Sequence, residues 1–276
     1  MDDMKLTFVA GLVALACGIV PLAAHAQEAA PGTTPEKPAP VPGRHVRFLP
    51  VGDLPPYRQE IRDGVAYELE PPPGSIPPRQ VMVGFGDEKK DAVPLLLGRV
   101  TEPLSAPGGE GPMQVRKLDE SPEAEPWMKV DRPESGDFLV LLWRDSSKGD
   151  WSKARSLVLP DSPDAAPAGR VRIINLSPVP VAVVFGGEKI KLEAGKFYQR
   201  SVPVGKDNEF QLGAVTHAGD LDRFHAGSIF QNAGERSLVV IYRADGVQPR
   251  RPLKAVVQKE PVVRKEPEKQ EVPGGR

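Results

Sequence analysis

The sequence predicts an all-β protein: two tandem β-sandwich-like (or open-barrel) domains between unstructured N- and C-terminal segments. Three observations predict it. VMVGFGDEKK, beginning at Val81, is echoed by VAVVFGGEKI at Val181, with six of ten positions identical, including Val83/Val183, Phe85/Phe185 and Gly86/Gly186. FLVLLWR at Phe138 is echoed by SLVVIYR at Ser237, each run behind a glycine–acid pair and ahead of an aspartate, Asp145 or Asp245. No window carries a sustained apolar repeat at helical spacing, whereas short β-branched runs bounded by Ser-Pro and Gly-Gly recur.

Taken from the N-terminus, residues 1–26 read as a signal peptide. Lys5 precedes an apolar run from Leu6 to Val20, Pro21 breaks it, and Ala24-His25-Ala26 places small residues at minus three and minus one. Cleavage is expected after Ala26, which sends the protein to the periplasm or the extracellular space. The alternatives are a retained anchor and a lipoprotein tethered through Cys17, the only cysteine. The apolar run continues past Cys17 to the better peptidase site, so the mature chain is expected to lack cysteine, disulfides and a thiol nucleophile.

Residues 27–43, QEAAPGTTPEKPAPVPG, form a proline-rich spacer without aromatics. A first β-domain is expected over 44–160, with a proline-rich insertion at about 58–80. The insertion is inferred because HVRFLP at His45 and RVRIIN at Arg170 match at a larger offset than the later echoes. LPDSPDAAPAG supplies a linker at 161–169, the second β-domain follows over 170–258, and 259–276 reads as a charged, disordered tail. Within VAVVFGGEKIKLEAGK, Gly186-Gly187 suits a tight hairpin turn, and Ile190 and Leu192 alternate with charged neighbours. FLVLLW and SLVVIY are continuously apolar, as strands covered on both faces are. Phe85 and Phe185 are expected in the core.

RVRIINLSPVPVAVVFGG, through Arg170, Val171, Arg172, Asn175, Ser177 and Pro178, followed by Gly186-Gly187, resembles the first hairpin of a bacterial secreted β-sandwich domain of unknown function. The resemblance implies an envelope or extracellular β-domain and carries no catalytic residue. The first half lacks the Asn and the Ser-Pro.

Charge and motifs narrow the chemistry. Loss of residues 1–26 removes Lys5, Asp2 and Asp3, leaving 35 basic and 35 acidic residues from 36 and 37. A balance near zero argues against nucleic-acid and anionic-membrane partners, and no second long apolar segment follows the leader, so no integral membrane span is expected after cleavage. Gly195-Lys196 lacks the upstream glycine and following Ser/Thr of a phosphate loop, so no nucleotide or other cofactor is expected. No G-x-S-x-G elbow occurs, and the acidic pairs near Asp119 and Glu123 lie in a proline-punctuated, solvated segment.

Two candidate sites remain. His217, Asp220, Asp222 and His225 place four possible metal ligands in nine residues, but the pattern matches no defined site and reads more readily as a polar loop. Trp127 and Trp151 are candidate stacking platforms for sugar rings, while Trp143, inside an apolar run, reads as core. The sequence therefore predicts a non-enzymatic cell-envelope protein with a structural or protein-interaction role. The alternatives are a glycan- or metal-binding module using second-domain loops, and a hydrolase whose site is assembled only in three dimensions.

Overall fold

The computed structural model describes residues 44–86, 91–109, 111–121, 123–145, 149–215, 221–245 and 249–262. The leader, Cys17 and the proline-rich spacer lie outside the described residues. Those described form eighteen strands and no helix.

In the first half, β1 (Arg44–Val51), β6 (Leu104–Ala106), β9 (Phe138–Arg144) and β10 (Ala154–Pro160) make one sheet in the order β10-β9-β1-β6. Facing it, β4 (Gln80–Gly84), β5 (Asp91–Pro94), β7 (Met113–Lys117) and β8 (Met128–Val130) make a second, ordered β5-β4-β7-β8. β2 (Gln59–Arg62) and β3 (Val65–Glu68) stand apart as a two-stranded hairpin, in the segment expected to be a proline-rich insertion.

In the second half, β11 (Arg170–Asn175), β14 (Phe197–Ser201), β17 (Glu235–Arg243) and β18 (Leu253–Pro261) take the order β18-β17-β11-β14. β12 (Val181–Phe185), β13 (Glu188–Leu192), β15 (Asp207–Val215) and β16 (Leu221–Phe230) take β13-β12-β15-β16. Strand for strand this is the first half's arrangement, down to the single parallel pairing in each, β1 with β9 and β11 with β17. The register also corresponds: Val46 lies opposite Phe138, and Val171 opposite Ser237, the residues that the sequence echoes equate. The Gly98 N–H donates to the Pro50 carbonyl, and the Gly195 N–H donates to the Asn175 carbonyl, both at 2.8 Å.

Each half is a sandwich with its own core. Val46, Phe48, Val83, Phe85, Val115 and Phe138 fill the first; Ile173, Val183, Phe185, Phe210, Leu212 and Val239 fill the second. Phe85 and Phe185 are buried, as the echo predicts. Gly186 and Gly187, at φ 55° and 82°, turn β12 into β13, a conformation that a side chain would strain.

A third core joins the halves. Leu49, Val51, Leu139, Leu141, Ile174 and Val240 come from the opposite faces of the same central strands, joined by Leu159 of β10 and Leu176 just beyond β11. Alternate residues of β1 thus point into different cores, Phe48 into the sandwich and Leu49 into the junction. This is why FLVLLW carries no polar face: its sheet is covered on one side by its sandwich partner and on the other by the second half. Four layers of sheet result, and the described residues form one compact unit.

One expected boundary shifts, and the expected linker is packed rather than free. The strand β18 runs through Lys259 and Glu260 to Pro261, so the charged tail does not begin at 259. The linker is packed: Asp161 and Ala166 are buried within it. Both were obscured because proline and charge mark a segment as solvated only when no partner at long range takes up the charge.

Candidate functional site

The strongest concentration of charge lies at the junction, beside the third core. Arg47 on β1 and Arg236 on β17 both reach Asp161 of the linker and Glu260 of β18. Arg47 Nε donates to Asp161 Oδ2 at 3.0 Å and its two terminal nitrogens reach Glu260 at 3.0 and 2.8 Å. Arg236 reaches Asp161 Oδ1 at 2.9 Å and Glu260 Oε2 at 3.1 Å, and donates to the carbonyls of Asp161 and Ala166. Arg172, 7% exposed, donates to Gln199 and to the carbonyls of Pro160 and Ala165. The arginines therefore fasten the linker backbone as well as the charges.

Burial sets the electrostatics. It pushes the Asp161 carboxyl up, and Arg47 and Arg236 offset this only in part. Glu260 also loses solvation, but the hydrogen bond and charge of Arg47, with those of Arg236, outweigh it and hold the carboxyl below its ordinary range. The same partners raise Arg47 against its own desolvation. The partly open pocket that these side chains line measures about 30 Å³, room for a water or two.

A second polar lock closes another part of the junction. The Asp53 N–H donates to Asp245 Oδ2 at 2.9 Å and the Asp245 N–H donates to Asp53 Oδ2 at 3.0 Å, a reciprocal pair between the halves. Tyr242 Oη and Lys254 Nζ complete the Asp53 carboxylate at 2.9 and 2.8 Å, and Arg144 pairs with Asp245. Burial raises the Asp53 carboxyl, yet Lys254, the Asp245 N–H and Tyr242 together bring it below its ordinary value. Burial, with Asp53 beside it, pushes the Tyr242 phenol well up.

The residues of the R-V-R…N-x-S-P stretch have structural work. Asn175 is fully buried; its Nδ2 donates to the carbonyls of Val179 and Leu192, and its Oδ1 accepts from the Ser177 N–H and hydroxyl. This ties the end of β11 to the turn that enters β12.

The sequence-derived candidates fare differently. Trp127 and Trp151 are 8% and 2% exposed, and the Trp127 indole N–H donates to the Trp151 carbonyl at 3.0 Å. They are core residues of the first sandwich, so the expectation of exposed stacking platforms is corrected: burying a large apolar indole is favourable when its N–H finds a carbonyl, as that of Trp127 does. Of the four histidine-loop residues, His217 and Asp220 lie outside the described residues. Asp222 and His225 are exposed on β16. A bulge between Leu212 and Gly213 sets Leu212 opposite His225 and Ala214 opposite Asp222, bringing both candidates to one face of the strand. The His225 ring lies 5.8 Å from that of Phe210. Among the described residues no three potential ligands gather at one point.

The junction charges escaped the sequence reading, although one signal pointed to them. Arg47 and Arg172 occupy the same place in the two opening strands, each between two apolar residues, and a charge placed there in both halves needs hydrogen-bonding partners once buried. A shallow groove of about 890 Å³ also runs beside β7, lined by Arg79, Lys117, Asp119, Asp150 and the edge of Trp151. No protein-family profile matches this chain, and no characterised protein matches it significantly.

Proposed function

We infer that this chain is an exported, non-enzymatic cell-envelope protein, in which two tandem copies of one β-sandwich domain act as a single rigid structural or protein-interaction body. The observation that carries the reading is the junction. Its arginines and carboxylates pair with one another across the two halves and hold the linker between them. The shared strand order and the equivalent parallel register favour duplication. The Arg172, Asn175 and Ser177 contacts favour kinship with secreted β-sandwich domains of the R-V-R…N-x-S-P type. The leader favours export to the periplasm or beyond.

Fractionation of cells expressing the tagged full-length chain, with N-terminal sequencing of the product, tests this. The expected product is found in the envelope or outside the cell and begins at Gln27. An intact N-terminus in the cytosol refutes export, and a product beginning at Cys17 replaces a free protein with a lipid-anchored one. A second reading, glycan binding, rests on the groove beside β7, where Asp119 and Asp150 supply acceptors and Arg79 and Lys117 donors. Titration with envelope polysaccharide fragments, read by shifts at those residues, decides it.

A further inference from the structure

Among the described residues, the β2–β3 hairpin is the one sheet without a covering layer. All eight of its strand residues are exposed, among them Ile61, Val65 and Tyr67, and Leu54 and Tyr57 are exposed just before it. A two-stranded ribbon is marginal in water, and a third or fourth strand is what stabilises it. Its tight turn, Asp63-Gly64 at φ 51° and 79°, fixes the register, with Glu60 opposite Tyr67 and Ile61 opposite Ala66.

We propose that β2 is a self-complementary edge on which a second copy of this chain docks, antiparallel, with Ile61 on the two-fold axis. The Leu69 N–H donates to the Arg58 carbonyl at 2.9 Å, so residue 58 faces β3. Alternation then turns Glu60 and Arg62 toward β3 as well and leaves the main-chain groups of Gln59 and Ile61 facing outward. Outward residues pair only with outward residues. With Ile61 opposite its own copy, Glu60 lies opposite Arg62 of the second copy and Arg62 opposite its Glu60, on one face. Ile61 meets Ile61 on the other face, flanked by Ala66 from each hairpin. A slip of two residues in either direction sets Glu60 on Glu60 or Arg62 on Arg62, and like charges in direct opposition disfavour it. A slip of four leaves only Gln59 of the strand paired. The product is a continuous four-stranded sheet, β3-β2 joined to β2-β3.

Native mass spectrometry and sedimentation of the purified full-length product, with its variants, test the pairing. The wild type is expected to show a concentration-dependent dimer between about 10 µM and about 1 mM, the range of a small interface. Glu60→Arg alone and Arg62→Glu alone each place like charges across the axis, and each is expected to weaken the dimer at least about tenfold. The two variants mixed regain opposite charges across the axis and are expected to form a mixed dimer near wild-type strength. Mixing leaves the Glu60–Arg62 pair within each chain broken, so only contact between chains accounts for that recovery. The hairpin lies outside the three cores, and circular dichroism checks that each variant is folded. A wild type that stays monomeric throughout, a dimer indifferent to the single charge changes, or a mixture that fails to associate overturns the proposal.

Discussion

Replacing Arg236 with Met probes the junction most directly. The substitution keeps the aliphatic stem and removes two contacts to carboxylates, at 2.9 and 3.1 Å, and two to linker carbonyls, at 2.8 and 3.3 Å. Asp161 and Glu260 are left sharing Arg47, two carboxylates with one cation in a largely buried site. Hydrogen bonds to charged groups contribute about 1.5–3 kcal/mol each, and breaking a buried pair on one side costs about 3–5 kcal/mol in total. Loss of about 4 kcal/mol at neutral pH is therefore expected. For a body of this size that lowers the melting temperature by roughly 8–16 °C. Urea unfolding at pH 7.5 and pH 5 supplies the signature. In the variant the stranded carboxylates take up a proton more readily, so its deficit is smaller at pH 5. A loss below about 1 kcal/mol, or a deficit indifferent to pH, would refute the assignment of these charges to joining the halves.

Other expectations follow from the same geometry. Leu141→Ala, in the third core, is expected to cost about 2–5 kcal/mol and to weaken both halves in one transition, checked by following probes in each sandwich during unfolding. Tyr242→Phe removes the hydroxyl that Asp53 accepts, with an expected loss of about 1.5–3 kcal/mol on chemical denaturation. Glu260 and Asp53 are held below their ordinary values of 4.5 and 3.8, so their contribution is complete above those values and drains away as pH falls through the folded ones. Asp161, pushed up, acts in the opposite sense, and Glu260→Gln is expected to flatten the acid limb of stability against pH. Trp127 and Trp151 are expected to emit at short wavelength; a red-shifted emission in a Trp143→Phe background would place them back at the surface.

Much of the architecture was legible because it is written in short-range pattern. Gly186-Gly187 announces its hairpin, and the unbroken apolar run at Phe138 announces a strand with two covered faces. The echoes went further, since equating Val46 with Val171 and Phe138 with Ser237 anticipates which residues stand opposite in β1/β9 and β11/β17. What covers the second face was not legible, because nothing in FLVLLW distinguishes its own sandwich partner from the other half of the molecule. The Arg47–Glu260 contact spans 213 residues and leaves no periodicity to read. Glu260 sits in a proline-punctuated charged segment, and composition alone assigned it to solvent. Trp127 and Trp151 misled for the converse reason: short irregular segments suggested exposure, whereas the indole of one is held by the backbone of the other.

Arg47 belongs to the first described strand and Glu260 to the last, and they meet in one network with Asp161 and Arg236. A growing chain therefore cannot complete that network until almost every residue has emerged. The parallel pairings impose a similar delay, since β1 must wait for β9, some ninety residues away. Contacts of such sequence separation close late and slowly. The four-layer body is thus expected to assemble only after the chain is complete, and a polypeptide shortened before Leu253 should collapse without settling into a single native state.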